Sequence, residues 1–112
     1  MYQNLFSLPE SIQNGKRPDQ EICHLLLQNQ RIRVEKILSV GHTTPAGEWY
    51  DQDEDEFVAV LQGTAELCLE DCTVILQAGD TIWLPAHCKH RVEHTSIEPV
   101  CIWFCVFASP TP

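Results

Sequence analysis

Two short segments of the chain hold most of the side chains that could bind a metal ion. Five carboxylates fall within the six positions 51–56, and an apolar stretch and Gly63 follow directly. His87 and His90 come about two dozen residues later, after Pro85, at the end of another apolar stretch. Carboxylates this close repel one another unless a cation is shared, and imidazole and carboxylate together suit divalent metals. The two segments therefore predict the two halves of one metal site.

The bulk composition excludes several classes of partner. The chain has 112 residues and a net charge of −9, with only seven Lys and Arg. Nucleic acid and anionic membrane surfaces both require clustered cations, so neither is an expected partner. The N-terminus has no basic region followed by an apolar run, and the six cysteines form no Cys-x-x-Cys pair. We therefore expect a soluble, cytoplasmic protein without disulfides.

Short β-rich stretches separated by turn residues dominate the sequence, and helix signals are nearly absent. This pattern predicts an all-β barrel or sandwich. The expected strands cover residues 21–28, 31–40, 57–61, 65–70, 72–77, 81–84, 91–95 and 100–107. The expected organisation is an N-terminal arm over 1–20, one barrel domain over 21–108 and a tail over 109–112. The arm is expected to be mobile or to cover a sheet edge.

The spacing of a few residues resembles that of the cupin superfamily. Glu56 is followed by six residues and Gly63, while Gly79 is followed by five residues, Pro85 and, five positions later, His90. The resemblance covers residues 31–107. Within the superfamily, the sequence is similar to a group of small single-domain bacterial cupins of unknown function. It implies a small β-barrel of jelly-roll type with a metal or small-molecule pocket in its mouth.

The chain departs from the cupin pattern at the expected ligands. The histidine pair that precedes the glutamate in cupins is replaced by Tyr50 and Gln52, or by Trp49 and Asp51 if the spacer is one residue longer. The usual glycine of the second motif is His87. By position, therefore, only Glu56 and His90 match ligands of the family motif.

The remaining residues could still complete a site. If Glu56 faces inward, strand alternation places Gln52 on the same side, whereas Asp51 needs a bulge and His87 needs a turn. We predict a divalent ion (iron, manganese, nickel or zinc) on His90, Glu56 and His87 with Gln52 or Asp51. The simpler alternatives are a salt bridge from Glu56 to Arg33 or Arg91, and a solvated acidic rim over 53–55.

The expected function is that of a small cupin that binds a metal and acts on a small polar substrate. An acidic rim favours neutral or cationic substrates over anions. The alternatives are a non-catalytic module that binds or senses a small ligand, and a scaffold whose acidic run binds a basic protein. We also expect a homodimer, with the N-terminal segments pairing across it.

Overall fold

The computed structural model describes residues 3–110, which form eight strands and one short helix. The elements in chain order are α1 (Glu10–Gln13), β1 (Ile22–Gln28), β2 (Ile32–Ser39), β3 (Asp55–Gln62), β4 (Thr64–Leu69), β5 (Thr73–Gln77), β6 (Thr81–Leu84), β7 (His90–Thr95) and β8 (Cys101–Ala108). The predicted all-β barrel of jelly-roll type is confirmed, and the predicted strand ends differ from the observed ones by two residues at most. No helix among residues 3–110 is long and apolar enough to span a membrane.

Two antiparallel sheets face each other across the core. The larger sheet has the strand order β1-β2-β8-β3-β6, and the smaller has the order β5-β4-β7. Buried side chains of both sheets form the main core, including Val58, Leu67, Leu84 and Trp103. Strand β8 lies at the centre of the larger sheet, with its inner face buried and Ile102 on its outer face covered by the N-terminal segment, and its uninterrupted apolar sequence reflects that position.

Gly63 allows the chain to pass from the larger sheet to the smaller one. It joins β3 to β4 with φ +80°, a left-handed conformation that side chains other than glycine rarely adopt. A Cβ at this position would lie 2.3 Å from Ser96 Oγ and 3.0 Å from the Cα of Cys101. The glycine of the first motif therefore fixes where β3 ends, and with it the depth at which Glu56 enters the barrel.

The N-terminal segment lies on the outer face of the larger sheet, which corrects the expectation of a mobile or edge-covering arm. Ile12 of α1 packs with Leu38 and Ile102 in a second apolar cluster. The buried Lys36 ammonium donates a hydrogen bond to the Ser7 carbonyl at 2.5 Å. The expected pairing at a sheet edge is absent from residues 3–20, because β1 itself is the edge strand.

Candidate functional site

A cavity of about 190 Å³ lies between the two sheets at one end of the barrel. Apolar side chains form most of its wall, and a carboxylate, an imidazole and an amide converge on one side. The lining residues are Glu21, Cys23, Glu35, Ile37, Tyr50, Gln52, Glu56, Val58, Leu67, Leu84, His90, Val92, Trp103, Cys105 and Phe107. An apolar pocket with a few converging polar groups is the usual form of a small-molecule site.

Glu56 occupies the cavity wall because β3 alternates its side chains between the two faces of the sheet. Glu56, Val58 and Val60 are buried in turn, as the sequence pattern predicts for an inward glutamate. Burial raises the pKa of the Glu56 carboxyl, and the Gln52 amide and the His90 imidazole offset only part of that rise. Gln52 Nε2 donates a hydrogen bond to Glu56 Oε1 at 3.0 Å.

His90 begins β7 and presents one nitrogen to the same carboxyl. Its Nδ1 lies 2.9 Å from the Cys88 carbonyl oxygen, which can only accept a hydrogen bond, so Nδ1 carries a hydrogen. Nε2 therefore faces the cavity, 3.7 Å from Glu56 Oε1. Reciprocal backbone hydrogen bonds with Tyr50 and stacking of the two rings at 5.3 Å between centroids hold the imidazole in place.

His87 lies outside this arrangement, although only two residues separate it from His90. Its φ of +64° places it in the left-handed region, and 64% of its side chain is exposed. Nδ1 lies 2.7 Å from Asp51 Oδ1 and Nε2 lies 3.3 Å from Asp53 Oδ1. The structure thus pairs His87 with Asp51 on the surface, and it does not bring either residue to the cavity beside His90 and Glu56.

The predicted ion pairs of Glu56 are also absent from the described residues. Arg33 instead bonds to Glu35 and Glu54, and Arg91 bonds to Glu93 and to backbone carbonyls. The predicted solvated rim is only partly observed. Asp53 is exposed. Glu54 is half-buried beside Arg33, and Asp55 accepts a hydrogen bond from the Ala86 backbone N–H at 2.8 Å.

The sequence model of the cupin domain family matches residues 37–107, which is more than half of the chain. The chain belongs to the cupin family. No curated protein matches its sequence.

Several solved structures are similar to this cupin. A "putative mannose-6-phosphate isomerase" from Ralstonia eutropha is 31% identical, with a TM-score of 0.85 over 98% of this chain and 99% of that one. A cupin superfamily protein from Desulfitobacterium hafniense is 19% identical, with a TM-score of 0.72 over 85% and 83%. KdgF from a Halomonas species is 17% identical, with a TM-score of 0.70 over 84% of each chain. The last two show the fold alone.

The cavity decides between the two registers that the sequence left open for the missing histidine pair of this cupin. Tyr50 and Gln52 line the cavity, whereas Trp49 and Asp51 do not. The cavity wall therefore presents a phenol and an amide at these two positions. Glu54 does not line the cavity together with Tyr50, Gln52 and Glu56, because the chain bends at residues 53 and 54, just before β3.

Sequence reasoning missed the acidic half of the cavity. Glu21 and Glu35 line it together with Cys23, and burial raises the pKa of the Glu21 carboxyl. The alternation of β2 did place Glu35 and Ile37 on one side, but the opposite side, with Val34 and Leu38, is more apolar and would ordinarily be taken as the core face. Both faces are in fact covered, one by the smaller sheet and the other by the N-terminal segment.

The cysteines of this cupin differ in burial, since Cys23 and Cys72 are exposed and only two of the six are fully buried. Cys101 and Cys105 are buried on β8, and burial raises the pKa of Cys101 to about 12 and that of Cys105 well above its usual range. Cys88 is half-buried against the main core. All six are free thiols. Thiols with raised pKa values are poor nucleophiles and poor metal ligands at neutral pH, so Cys105 adds no reactive group to the cavity.

Proposed function

We propose that this cupin binds a small organic molecule in its barrel cavity and moves a proton on that molecule with Glu56 and His90. The observation that carries this proposal is the buried Glu56 carboxyl, with a raised pKa, 3.7 Å from His90 Nε2 at the wall of an apolar cavity. Perturbed titratable groups that converge in a pocket are typical of acid–base sites. The separation is too long for a direct hydrogen bond, so both groups are free to bond to the same substrate from one side of the cavity.

The two groups have complementary tasks. Burial favours the protonated form of the Glu56 carboxyl, which can donate a proton, while the Cys88 carbonyl accepts a hydrogen bond from Nδ1 and leaves Nε2 to accept one. A substrate that receives a proton from Glu56 and loses another to His90 has changed the position of a hydrogen without a change of charge or oxidation state. Tautomerisation or isomerisation of a hydroxy-carbonyl compound is the reaction class that this exchange supports.

The charges of the cavity wall define the ligand further. Three carboxyl groups, those of Glu21, Glu35 and Glu56, line the cavity, and its lining includes no Lys or Arg. Phosphate recognition generally requires Arg, Lys or a helix N-terminus, so a sugar phosphate is disfavoured. The isomerase name that the Ralstonia protein carries agrees with the proposed reaction class and disagrees with these charges. We therefore propose a neutral or cationic ligand.

The size of the cavity also limits the ligand. Its volume of about 190 Å³ is below the roughly 300–1,000 Å³ of pockets for drug-sized molecules. The apolar base, which includes Val58 and Leu84, suits a short carbon skeleton. The polar groups of the ligand would then meet Gln52, Glu56 and His90 on one side. A short hydroxy-aldehyde, hydroxy-ketone or amino-ketone satisfies both requirements.

A divalent metal ion, which the family resemblance implies, fits these residues poorly. Catalytic sites for such ions usually have three protein ligands, for example two His and one carboxylate. The cavity provides one imidazole, the Glu56 carboxyl 3.7 Å from it and the neutral Gln52 amide, and no contact joins the other two carboxyl groups, those of Glu21 and Glu35, to His90 in the described residues. Among residues 3–110, no three His, Cys, Asp or Glu side chains are grouped so that they could hold an ion. The predicted iron, manganese, nickel or zinc site thus remains a prediction, and no step of the proposed reaction depends on it.

Solvent-hydrogen exchange tests the proposed chemistry directly. Short neutral, cationic and phosphorylated carbonyl compounds are screened by thermal shift, and those that bind are incubated with the protein in D₂O. Deuterium incorporation next to the carbonyl is followed by NMR. We expect neutral or cationic compounds to bind, and exchange to fall at least about 100-fold in Glu56→Gln and His90→Gln, which is the lower end of what one general acid or base contributes.

The control for this experiment is His94→Gln, which removes an exposed imidazole from β7 and should leave exchange unchanged. Binding without exchange would support the alternative of a non-catalytic ligand-binding module. A preference for phosphorylated compounds would contradict the ligand class. Elemental analysis of untagged protein, before and after incubation with iron, manganese, nickel and zinc, tests the metal prediction separately. Stoichiometric metal that is lost in His90→Gln would replace the proton-transfer proposal with a metal-dependent one.

A further inference from the structure

The polar groups of the cavity lie partly at its mouth and partly on its buried side. Glu21 and Tyr50 are exposed, and burial followed by the charge of Glu21 raises the pKa of the Tyr50 phenol, so these two residues share the mouth. Glu56 and His90 are each only 6% exposed. His90 Nε2 faces the cavity without a hydrogen-bond partner among residues 3–110, which points to a ligand atom there. A ligand that spans the cavity therefore has one end at His90 and Glu56 and the other at Glu21 and Tyr50.

A buried chain of hydrogen bonds holds the Glu21 carboxylate at the mouth. Trp103 Nε1 donates to Ser39 Oγ at 3.0 Å, and Ser39 Oγ lies 3.4 Å from Glu21 Oε2. An indole can only donate and a carboxylate can only accept, so the Ser39 hydroxyl hydrogen is directed to Glu21. Trp103 and Ser39 are both buried, and a donor aimed at a carboxylate favours its charged form. The fold thus positions an anionic Glu21 from the inside, although the residue itself is exposed.

Glu21 also differs from the other two carboxyl groups of the cavity in what balances its charge. Arg33 Nε donates to Glu35 Oε2 at 2.5 Å, which neutralises that carboxylate. Burial favours the protonated, uncharged form of Glu56. Within residues 3–110, the ion pairs of Arg and Lys side chains involve Glu35, Glu54 and Glu93 and leave Glu21 without one.

His42, whose charge would stabilise the Glu21 carboxylate, is neutral in this structure. The Val40 N–H donates to His42 Nδ1 at 2.9 Å, so this nitrogen carries no hydrogen. His42 Nε2 lies 2.7 Å from the Pro18 carbonyl oxygen, to which it can only donate. An imidazole with one accepting and one donating nitrogen is uncharged. The carboxylate at the mouth is therefore ready for a cation that arrives with the ligand.

We propose that Glu21 and Tyr50 form an ammonium subsite at the mouth of the cavity, and that the ligand is a short amino-ketone or amino-aldehyde whose carbonyl end lies at Glu56 and His90. This inference rests on the function proposed above and narrows its neutral or cationic ligand to a cation.

A carboxylate beside an aromatic ring is a combination that attracts organic cations. The carboxylate accepts a charge-assisted hydrogen bond from the ammonium group, and the ring adds a cation–π attraction. The same cavity wall already contains one such arrangement, because the Arg33 guanidinium lies 4.2 Å from the centre of the Phe107 ring and hydrogen bonds to Glu35. Glu21 and Tyr50 offer the same two kinds of group to a cation from solution.

Calorimetric titration of the full chain with matched ligands tests the subsite. The probes are amino-ketones with one, two or three methylene groups between the nitrogen and the carbonyl, each beside the hydroxy-ketone of the same length. At least one amino-ketone should bind about 10-fold more tightly than its hydroxy-ketone, the scale of one charged hydrogen bond, and salt should reduce the difference. Glu21→Gln, which keeps an acceptor for Ser39, should abolish the preference.

The matched control for Glu21→Gln is Glu10→Gln, which removes the same charge from an exposed position on α1 and should retain the preference. Circular dichroism confirms that both variants are folded. Hydroxy-ketones that bind as tightly as every amino-ketone, or a preference for the amine that survives in Glu21→Gln, would overturn the ammonium subsite.

Exchange kinetics distinguish a failure of the subsite from a failure of the proton-transfer proposal. For an amino-ketone that exchanges deuterium, Glu21→Gln should raise KM about 10-fold and leave kcat unchanged, because Glu21 contacts the end remote from the reacting carbon, whereas Glu56→Gln should lower kcat. An unchanged KM in Glu21→Gln, with exchange intact, would overturn the subsite alone. Amine binding that depends on Glu21 without any exchange would support the subsite and overturn the proton transfer alone.

Discussion

His87 and His90 are separated by two residues, yet they belong to different environments. His90 lies in a strand, is buried against Tyr50 and directs Nε2 into the cavity. His87 lies in the preceding turn with a positive φ, and its imidazole contacts Asp51 and Asp53 on the surface. Both are histidines, so as ligands for a metal ion their side chains are equivalent. The backbone conformation, rather than the kind of side chain, decides which of them reaches the cavity.

The two histidines are nevertheless connected through the backbone. The His87 N–H donates a hydrogen bond to the Gln52 carbonyl at 2.8 Å, and the Gln52 side chain donates to Glu56 inside the cavity. The surface cluster of His87, Asp51 and Asp53 therefore supports the loop that delivers Gln52 to the cavity. His90 is therefore a residue of the site, whereas His87 helps to hold the loop that forms part of its wall.

The largest expected difference between the two histidines is in stability. His90→Ala should lower the free energy of unfolding by about 2 kcal/mol, because it leaves a cavity next to Tyr50 and removes the partner of the buried Glu56 carboxyl. His87→Ala should have a much smaller effect, because it removes an exposed side chain. Urea unfolding followed by circular dichroism measures both. Equal losses would contradict the placement of the two residues.

A second comparison concerns the backbone at the same two positions. At position 87, Gly should be more stable than Ala, with a midpoint of thermal unfolding about 4 °C higher, because only Ala retains a Cβ in the left-handed region. At position 90 the order should reverse, because glycine weakens a strand. Differential scanning calorimetry of the four variants checks both orders. Ala more stable than Gly at position 87 would show that this position does not require a left-handed conformation.

This comparison also shows how far the sequence could predict the site. Strand alternation was enough to direct Glu56 inward and to group Gln52 with it, because the backbone there is extended on both sides of a short bend. His87 occupies the position of a motif glycine, and a glycine at a turn commonly signals a positive φ. A positive φ at position 87 means that the side chain does not follow strand alternation. Residue type alone, which makes His87 a candidate metal ligand, does not reveal this conformation.

The acidic half of the cavity could not be predicted from local patterns. Glu21 on the approach to β1 and Glu35 on β2 reach the same cavity only because those strands pair and curve over the smaller sheet. The more apolar face of β2 lies beneath the N-terminal segment, whose cover of the outer face depends on the tertiary contact between Ile12 and Leu38. Alternation defines two faces of a strand, and only packing determines which of them encloses the cavity.

The smallest expected effect is a pH dependence that belongs to His87 alone. Hydrogen bonding to Asp51 raises the pKa of His87 above its ordinary value of 6.5. The stability that this contact contributes is therefore complete below that value and is lost as the pH rises through the folded-state pKa. The midpoint difference between the wild type and His87→Gln should shrink by about 1–2 °C between pH 6 and pH 9, and added salt should reduce it further.

Asp51→Asn provides the matched control, since it keeps the imidazole and removes the carboxylate. It should reduce the pH dependence, and Asp51→Asn combined with Asp53→Asn should flatten it as His87→Gln does, because Asp53 also lies 3.3 Å from the imidazole. A pH dependence that survives in this double variant would have to come from another group, such as the Glu56–His90 pair inside the cavity. That result would move the pH-sensitive element from the surface histidine to the buried one.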